Sequence, residues 1–251
     1  MKIHLVLYSN NEPYNTTKQL TIESLPTHTT KDVIIHDYTL EKIKQRDWFT
    51  LIQNLPLIDR EGRRDGYYNI WKAFIIKDVY TAMNDGDILY YVDSSQYFRT
   101  GFTESIDKLC NIANEMGCIA GSVADNSKNN SVRSCDKIIV WDKIIPDNNN
   151  SVYLDLLHVL NSWFLFKKCE LNTAFIRDWV YYSLYTDADI DYPLATYHHT
   201  GDQSIFNILV IKYKLPVFYL KGILHDDNKN KNAVLAVINS SVNTDDFFIS
   251  L

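Results

Sequence analysis

The chain has 251 residues, of which 46% are hydrophobic and 22% are charged, so it is long enough to bury a substantial core. Its net charge of -6 offers no basic surface, which excludes nucleic acid and anionic membranes as expected partners. Only 8 Gly and 6 Pro are present, a composition that argues against disorder and against a repeat array.

No segment reads as an export signal or as a membrane span. The first apolar run covers residues 3–8 only, and no later run approaches the roughly 18 continuous apolar residues that a span requires. The 4 cysteines show neither a Cys-x-x-Cys pair nor a zinc spacing, which is typical of reduced thiols. We therefore expect a soluble, cytoplasmic protein.

Strand and helix signals alternate along the chain. The strand signals cover residues 3–8, 88–92, 119–122, 163–166 and 217–220. Between them, the helix signals cover a segment capped by Thr39 that reaches Ile52, residues 71–83, residues 102–116, a segment capped by Asn172 or Thr173 and a segment that begins near Asp202. This alternation is typical of an α/β fold, in which a mostly parallel sheet is covered by helices on both faces.

No linker-like change of composition interrupts the chain, which predicts one domain over residues 1–251. Residues 186–201 are irregular and polar, and they are long enough for a functional loop.

The strand over residues 88–92 is the most informative element, because its apolar run does not alternate and ends at a carboxylate, Asp93. Such a run predicts a strand buried on both faces, and sheets of this kind place ligands beyond the carboxyl ends of their strands. The small Ser94 and Ser95 would allow a ligand to approach closely. The alternative is an aspartate that merely starts a turn.

Two further segments carry reactive side chains. Residues 63–72 contain Arg63, Arg64 and Lys72, and residues 199–207 contain the pair Asp202-Gln203. A nucleotide-sugar site needs this mixture: positive charge or a metal for the diphosphate, a carboxylate for the metal or the ribose, and polar groups around the anomeric carbon.

The residues of these segments and their order along the chain resemble those of glycosyltransferases of the GT-A fold, particularly a group of bacterial and large-virus enzymes. The matching residues are Gly66-Tyr67-Tyr68-Asn69-Ile70-Trp71-Lys72 and Gly86-Asp87-Ile88-Leu89-Tyr90-Tyr91-Val92-Asp93. Gly201-Asp202-Gln203-Ser204-Ile205-Phe206-Asn207 is similar to the Asp-Gln segment of the family-eight, glycogenin-like transferases. The resemblance covers residues 3–225.

The resemblance implies an enzyme that moves a sugar from a nucleotide-sugar donor, UDP-linked, to a hydroxyl of a glycan, a protein or a small molecule. It assigns Asp202 and Gln203 to catalysis, Asn161 and Trp163 to the acceptor side, and the donor to Tyr8, Ser9, Arg63, Arg64, Lys72, Asp93, Ser94 and Ser95. Each assignment has a structural alternative: Asp202 as a helix cap, Lys72 as a solvated lysine, one of the two arginines as a surface residue, and Trp163 as a core aromatic.

The chain departs from the GT-A pattern at the metal site. The family hallmark is Asp-x-Asp, whereas this chain has Asp93-Ser94-Ser95, and a hydroxyl is a weak ligand for a hard cation. The family-eight enzymes recruit a histidine near the C-terminus, and His225 occupies a comparable place. A set of Asp93, Ser95 and His225 favours Mn²⁺ over Mg²⁺.

Two other functions stay open. A sugar nucleotidyltransferase shares the layout, but its Gly-rich phosphate loop is missing after the first strand, where this chain has Tyr8-Ser9-Asn10-Asn11. A nucleotide-sugar-binding protein without turnover would account for the missing second aspartate. Whether the anomeric configuration is retained or inverted also stays open.

Overall fold

The computed structural model describes residues 1–53, 70–94, 105–124, 136, 138–146, 158–185 and 202–220. The strands within these ranges are β1 (Ile3–Tyr8), β2 (Val33–Tyr38), β3 (Ile88–Val92), β4 (Cys118–Ile119), β5 (Ser122–Ala124), β6 (Val159–Leu160), β7 (Trp163–Lys167) and β8 (Phe218–Leu220). The helices are α1 (Tyr14–Ser24), α2 (Leu40–Lys44), α3 (Phe49–Ile52), α4 (Trp71–Ala82), α5 (Ser105–Met116), α6 (Ile138–Ile144), α7 (Glu170–Tyr185) and α8 (Asp202–Tyr213). Among these residues, no helix is both long enough and apolar enough to cross a bilayer.

The main sheet has five strands in the order β2-β1-β3-β7-β4. Strand β1 is parallel to β2 and to β3, whereas β7 is antiparallel to β3 and to β4. The carboxyl ends of β1, β2 and β3 therefore share one edge of the sheet, and the amino end of the antiparallel β7 reaches the same edge. The predicted mostly parallel α/β sheet is confirmed.

Both faces of this sheet are covered, which explains why every residue of β1 and β3 is buried, without alternation. On one face, Val6, Tyr91 and Phe164 pack with helices α4, α7 and α8. On the other face, Leu5 and Tyr90 pack with α5 and its neighbours. The sheet therefore lies between two layers of helices, and function is restricted to its edges.

A smaller sheet, ordered β6-β5-β8, lies beside the main one. Strand β5 is antiparallel to β6 and parallel to β8. The chain passes from β4 to β5 through Gly121, whose φ is +96° and whose missing Cβ would lie 2.3 Å from the Leu160 carbonyl oxygen. Only glycine fits this crossing between the two sheets.

Several predicted boundaries change in the structure. The predicted helix from Thr39 to Ile52 is two helices, although Thr39 does cap the first one by accepting a hydrogen bond from the Lys42 backbone N–H. The predicted cap at Asn172 or Thr173 is wrong, because α7 already begins at Glu170. Asn172 instead donates to the carbonyl oxygens of Gly117 and Lys167, which ties α7 to the main sheet.

The sequence interpretation also missed β2, α1, α6 and β6, and the predicted strand over residues 119–122 is two strands that meet around Gly121. The predicted loop over residues 186–201 lies outside the described residues.

Candidate active site

Four polar side chains from distant parts of the chain meet at the carboxyl edge of the main sheet: Lys72, Asp93, Asn161 and Asp202. We call them the lysine–carboxylate cluster. All four were candidate site residues in the sequence, and the structure brings them together.

The antiparallel pairing of β7 with β3 builds one side of this cluster. Val92 pairs with Trp163, and the Asp93 backbone N–H donates to the Ser162 carbonyl oxygen at 2.8 Å. Asn161, just before β7, is therefore held next to the residue that ends β3.

Lys72, the second residue of α4, is only 3% exposed. Its Nζ lies 3.3 Å from Asp93 Oδ1 and 3.3 Å from Asp202 Oδ2. It also donates to Asn161 Oδ1 at 3.4 Å, and it lies 5.0 Å from the centroid of the Tyr91 ring. A buried ammonium group needs such compensation. Lys72 is thus an internal cation rather than a solvated lysine at a helix start.

Asp202 is the first residue of α8, as predicted, and it is 2% exposed. Its Oδ2 accepts a hydrogen bond from Asn161 Nδ2 at 2.7 Å. The start of a helix favours negative charge, so the position of Asp202 supports its carboxylate form.

Burial and charge act in opposite directions on these groups. Burial alone would lower the pKa of Lys72, but Asp202 and Asp93 together hold that pKa above its ordinary value, so the lysine stays charged. Burial raises the pKa of Asp202, although Lys72 and Asn161 oppose this effect. The charge of Asp202 therefore depends on the presence of Lys72.

Asp93 is the more accessible carboxylate, with a side chain that is 29% exposed. Its Oδ1 accepts a hydrogen bond from the Tyr91 hydroxyl at 2.6 Å. Burial and the neighbouring Asp93 hold the pKa of Tyr91 well above its usual value, so this hydroxyl stays protonated and donates the hydrogen bond to Asp93. The Tyr91 hydroxyl therefore orients the Asp93 carboxylate, which stays partly accessible to solvent, as a ligand-binding carboxylate would be.

The three predicted donor-binding residues near the ends of β1 and β3 are engaged within the protein. The Tyr8 ring stacks on Trp71 with centroids 3.8 Å apart, and the Ser94 hydroxyl donates to the Tyr8 carbonyl oxygen. The Ser9 hydroxyl donates to Asn15 Oδ1 at 2.7 Å. Trp163 is 2% exposed and lies in the core, which agrees with its interpretation as a core aromatic.

Four predicted site residues, Arg63, Arg64, Ser95 and His225, lie outside the described residues. Asp93 is the only proposed metal ligand with a described position, and its Oδ1 already faces Tyr91 and Lys72. Within the described ranges, no group of three or more His, Cys, Asp or Glu residues converges on a common point. The described part of the chain does not by itself fit a divalent cation.

Gln203, the other predicted catalytic residue, joins a second polar group that the sequence interpretation missed. Its Nε2 lies 2.9 Å from His158 Nδ1, and His158 Nε2 lies 2.9 Å from Asp136 Oδ1. Asn207 Nδ2 donates to Asp136 Oδ2 at 2.6 Å. The one available signal was the spacing of Gln203 and Asn207, four positions apart on one helix face. Asp136 and His158 carry no local motif.

No protein-family model matches the sequence, and no curated protein matches it. The structure is similar to that of mouse xyloside xylosyltransferase 1 in its apo form, with a TM-score of 0.52 and 10% identity over 95% of this chain and 92% of that chain. It also matches galactosyltransferase LgtC in complex with donor and acceptor sugar analogues, with a TM-score of 0.39 and 11% identity over 92% of this chain and 82% of that chain.

The similarity to the xylosyltransferase confirms the fold that the sequence resemblance implied, that of the GT-A glycosyltransferases. At this level of identity the similarity shows the fold alone.

Proposed function

We propose that the protein is a glycosyltransferase that moves a sugar from a nucleotide donor, UDP-linked, to a hydroxyl of a glycan, a protein or a small molecule. The observation that carries this proposal is the lysine–carboxylate cluster at the carboxyl edge of a GT-A sheet. Ligands bind at this edge in open α/β sheets. A buried cation between two carboxylates is also expensive to maintain, so its presence at this edge favours a functional role.

The chemistry of sugar transfer accounts for each member of the cluster. The departing nucleoside diphosphate carries negative charge, and the Lys72 ammonium group contributes to its stabilisation together with further positive charge from Arg63, Arg64 or a metal ion. The anomeric carbon develops positive charge, and the Asp202 carboxylate stabilises it. Asp93, the accessible carboxylate, holds the ribose or a metal ion. Asn161 orients Asp202 and forms the acceptor side, and Gln203 orients the donor sugar.

The proposal includes a manganese ion held by Asp93, Ser95 and His225. The single described ligand cannot support it alone, so we assign no reaction step to the metal. A divalent cation would supply positive charge for the diphosphate, a task that Lys72 would otherwise share with Arg63 or Arg64.

A donor screen followed by one charge-removing substitution tests this function. Nucleotide sugars are screened by thermal shift, since a ligand at ~100 times its Kd adds about 2.7 kcal/mol of stability, and nucleotide release is then measured with candidate acceptors. Asp202→Asn keeps the volume and an acceptor for Asn161 but removes the charge. We expect it to melt near the wild-type temperature, because Lys72 keeps Asp93 as a counter-ion 3.3 Å away. It should still bind UDP and lose turnover by ~10² or more.

The matched control is Asp107→Asn. Asp107 also lies in the first turn of a helix, α5, and accepts hydrogen bonds from Thr29 and Thr30. Its substitution should leave turnover per folded molecule unchanged. Normal turnover in Asp202→Asn would show that Asp202 only supports the fold. If the wild type binds a nucleotide sugar but releases no nucleotide from it, the binding-protein alternative is favoured.

A further inference from the structure

A chain of hydrogen bonds runs through Asn207, Asp136, His158 and Gln203, and we call it the polar relay. Asn207, Asp136 and His158 are 0%, 6% and 3% exposed, whereas Gln203 at the end of the relay is partly exposed. Buried polar groups of this kind are costly unless each is satisfied, and a fully satisfied network fixes the orientation of every member.

The direction of each hydrogen bond follows from a backbone group. The Val159 backbone N–H can only donate, and it donates to Asn207 Oδ1 at 3.0 Å. The Asn207 Nδ2 group must therefore face Asp136, whose Oδ2 accepts from it. A carboxylate only accepts, so Asp136 Oδ1 accepts a hydrogen bond from His158 Nε2, which carries the ring proton.

The imidazole transmits this direction to Gln203. A neutral histidine with its proton on Nε2 has a lone pair on Nδ1, which accepts a hydrogen bond from Gln203 Nε2 at 2.9 Å. The amide of Gln203 then has one orientation: its nitrogen faces His158, and its carbonyl oxygen is directed away as an acceptor.

We propose that the polar relay positions Gln203 so that its Oε1 accepts a hydrogen bond from a hydroxyl of the bound sugar. This inference rests on the proposed function and adds one specification: the sugar group that Gln203 recognises must be a hydrogen-bond donor. Asp202, the preceding residue, faces Lys72 and Asn161, whereas Gln203 faces His158, so the two adjacent residues are held by separate networks. Asp136 and His158 are positioning residues in this assignment.

The first experiment measures the protonation of the His158 ring nitrogens by ¹⁵N NMR in the ligand-free protein. The His158 signals are assigned by their loss in His158→Gln. We expect the proton on Nε2 and none on Nδ1. Asp136→Asn should move the proton to Nδ1, because the new amide must still accept from Asn207 and can only donate toward His158. A proton on Nδ1 in the wild type, or on both nitrogens, would overturn the relay.

The second experiment is a double-mutant cycle on kcat with His158→Ala and Gln203→Ala. Each single variant should lower kcat by about 10-fold or more with unchanged UDP affinity, since a misdirected catalytic side chain costs rate rather than nucleotide binding. If His158 acts through Gln203, the double variant is no slower than Gln203→Ala alone. Independent effects that multiply would mean that the relay only ties α8 to β6, and would overturn the positioning role.

Asp136→Asn provides the same test without a change of volume if His158→Ala fails to fold. It should lower kcat in the wild-type background and have no effect in Gln203→Ala. His36→Ala is the control, because His36 is a partly buried histidine of β2 outside the relay, and kcat should be unchanged in it. The NMR result does not depend on turnover, so an absence of transfer with every donor would refute the proposed function while the relay is still judged on the His158 tautomer.

Discussion

Replacement of Lys72 by methionine isolates the electrostatic role of the buried cation. The methionine side chain has a similar length and no charge, so the change leaves two carboxylates without their shared partner. Asp93 is 29% exposed and can regain water, but the Asp202 side chain is 3% exposed and cannot. Loss of one member of a buried ion pair costs about 3–5 kcal/mol, a large part of the roughly 5–15 kcal/mol of a typical domain.

The loss should depend on pH, and its direction follows from Asp202. Burial already raises the pKa of Asp202, and removal of Lys72 raises it further. A group with a higher pKa in the folded than in the unfolded state favours folding at low pH, and this contribution disappears as the pH rises through the folded pKa. The loss of stability in Lys72→Met relative to the wild type should therefore be largest in alkaline solution. This loss should shrink by up to about 1.4 kcal/mol per pH unit on acidification.

Urea unfolding at mildly acidic and mildly alkaline pH measures this effect. The control is Lys77→Met, an exposed lysine of the same helix, which should change stability by less than about 0.5 kcal/mol. Addition of Asp202→Asn to Lys72→Met should recover most of the loss, since the uncompensated charge is then gone. A Lys72→Met protein as stable as the Lys77→Met control, or equally destabilised at both pH values, would refute this electrostatic assignment.

Two further predictions concern the crossing between the sheets and the metal. Gly121→Ala should destabilise the fold by about 1–3 kcal/mol more than Gly86→Ala. Both glycines have positive φ, but only at Gly121 would the new Cβ clash with backbone atoms. Equal unfolding free energies of the two variants would contradict this. Mn²⁺ should support UDP binding better than Mg²⁺, and His225→Ala should erase the difference in calorimetric titrations. Identical affinities with either ion and with a chelator would rule out a metal in donor binding.

The central strands could be predicted because their environment leaves a simple pattern. Strand β3 is buried on both faces, so the apolar run over residues 88–92 predicts its bounds and its terminal Asp93 correctly. Strand β2 lies at the edge of the main sheet, and its Ile34 and Ile35 are 38% and 41% exposed. An edge strand combines short apolar runs with polar residues, so β2 has neither alternation nor a long apolar run to reveal it.

The members of the lysine–carboxylate cluster could be named from sequence as candidate site residues, but their contacts with one another could not be predicted. Lys72, Asp93 and Asp202 each stand in a recognisable segment, and each segment predicts a different role. Their convergence depends on the insertion of the antiparallel β7 next to β3, a long-range pairing without a local signal. The polar relay was missed for the same reason, since Asp136 and His158 gain meaning only when α8 packs against β6.

The charge of the cluster limits how the proposed reaction can work. Lys72 contributes one positive charge and its two carboxylates contribute two negative charges, so the cluster is net negative when all three are ionised. A net negative cluster repels a diphosphate, and Lys72 alone cannot hold the donor. Donor binding then requires positive charge from elsewhere in the chain or from Mn²⁺. If a chelator leaves the affinity for UDP unchanged, simultaneous replacement of Arg63 and Arg64 must abolish UDP binding. Binding that survives both the chelator and the two replacements would refute the placement of the diphosphate beside this cluster.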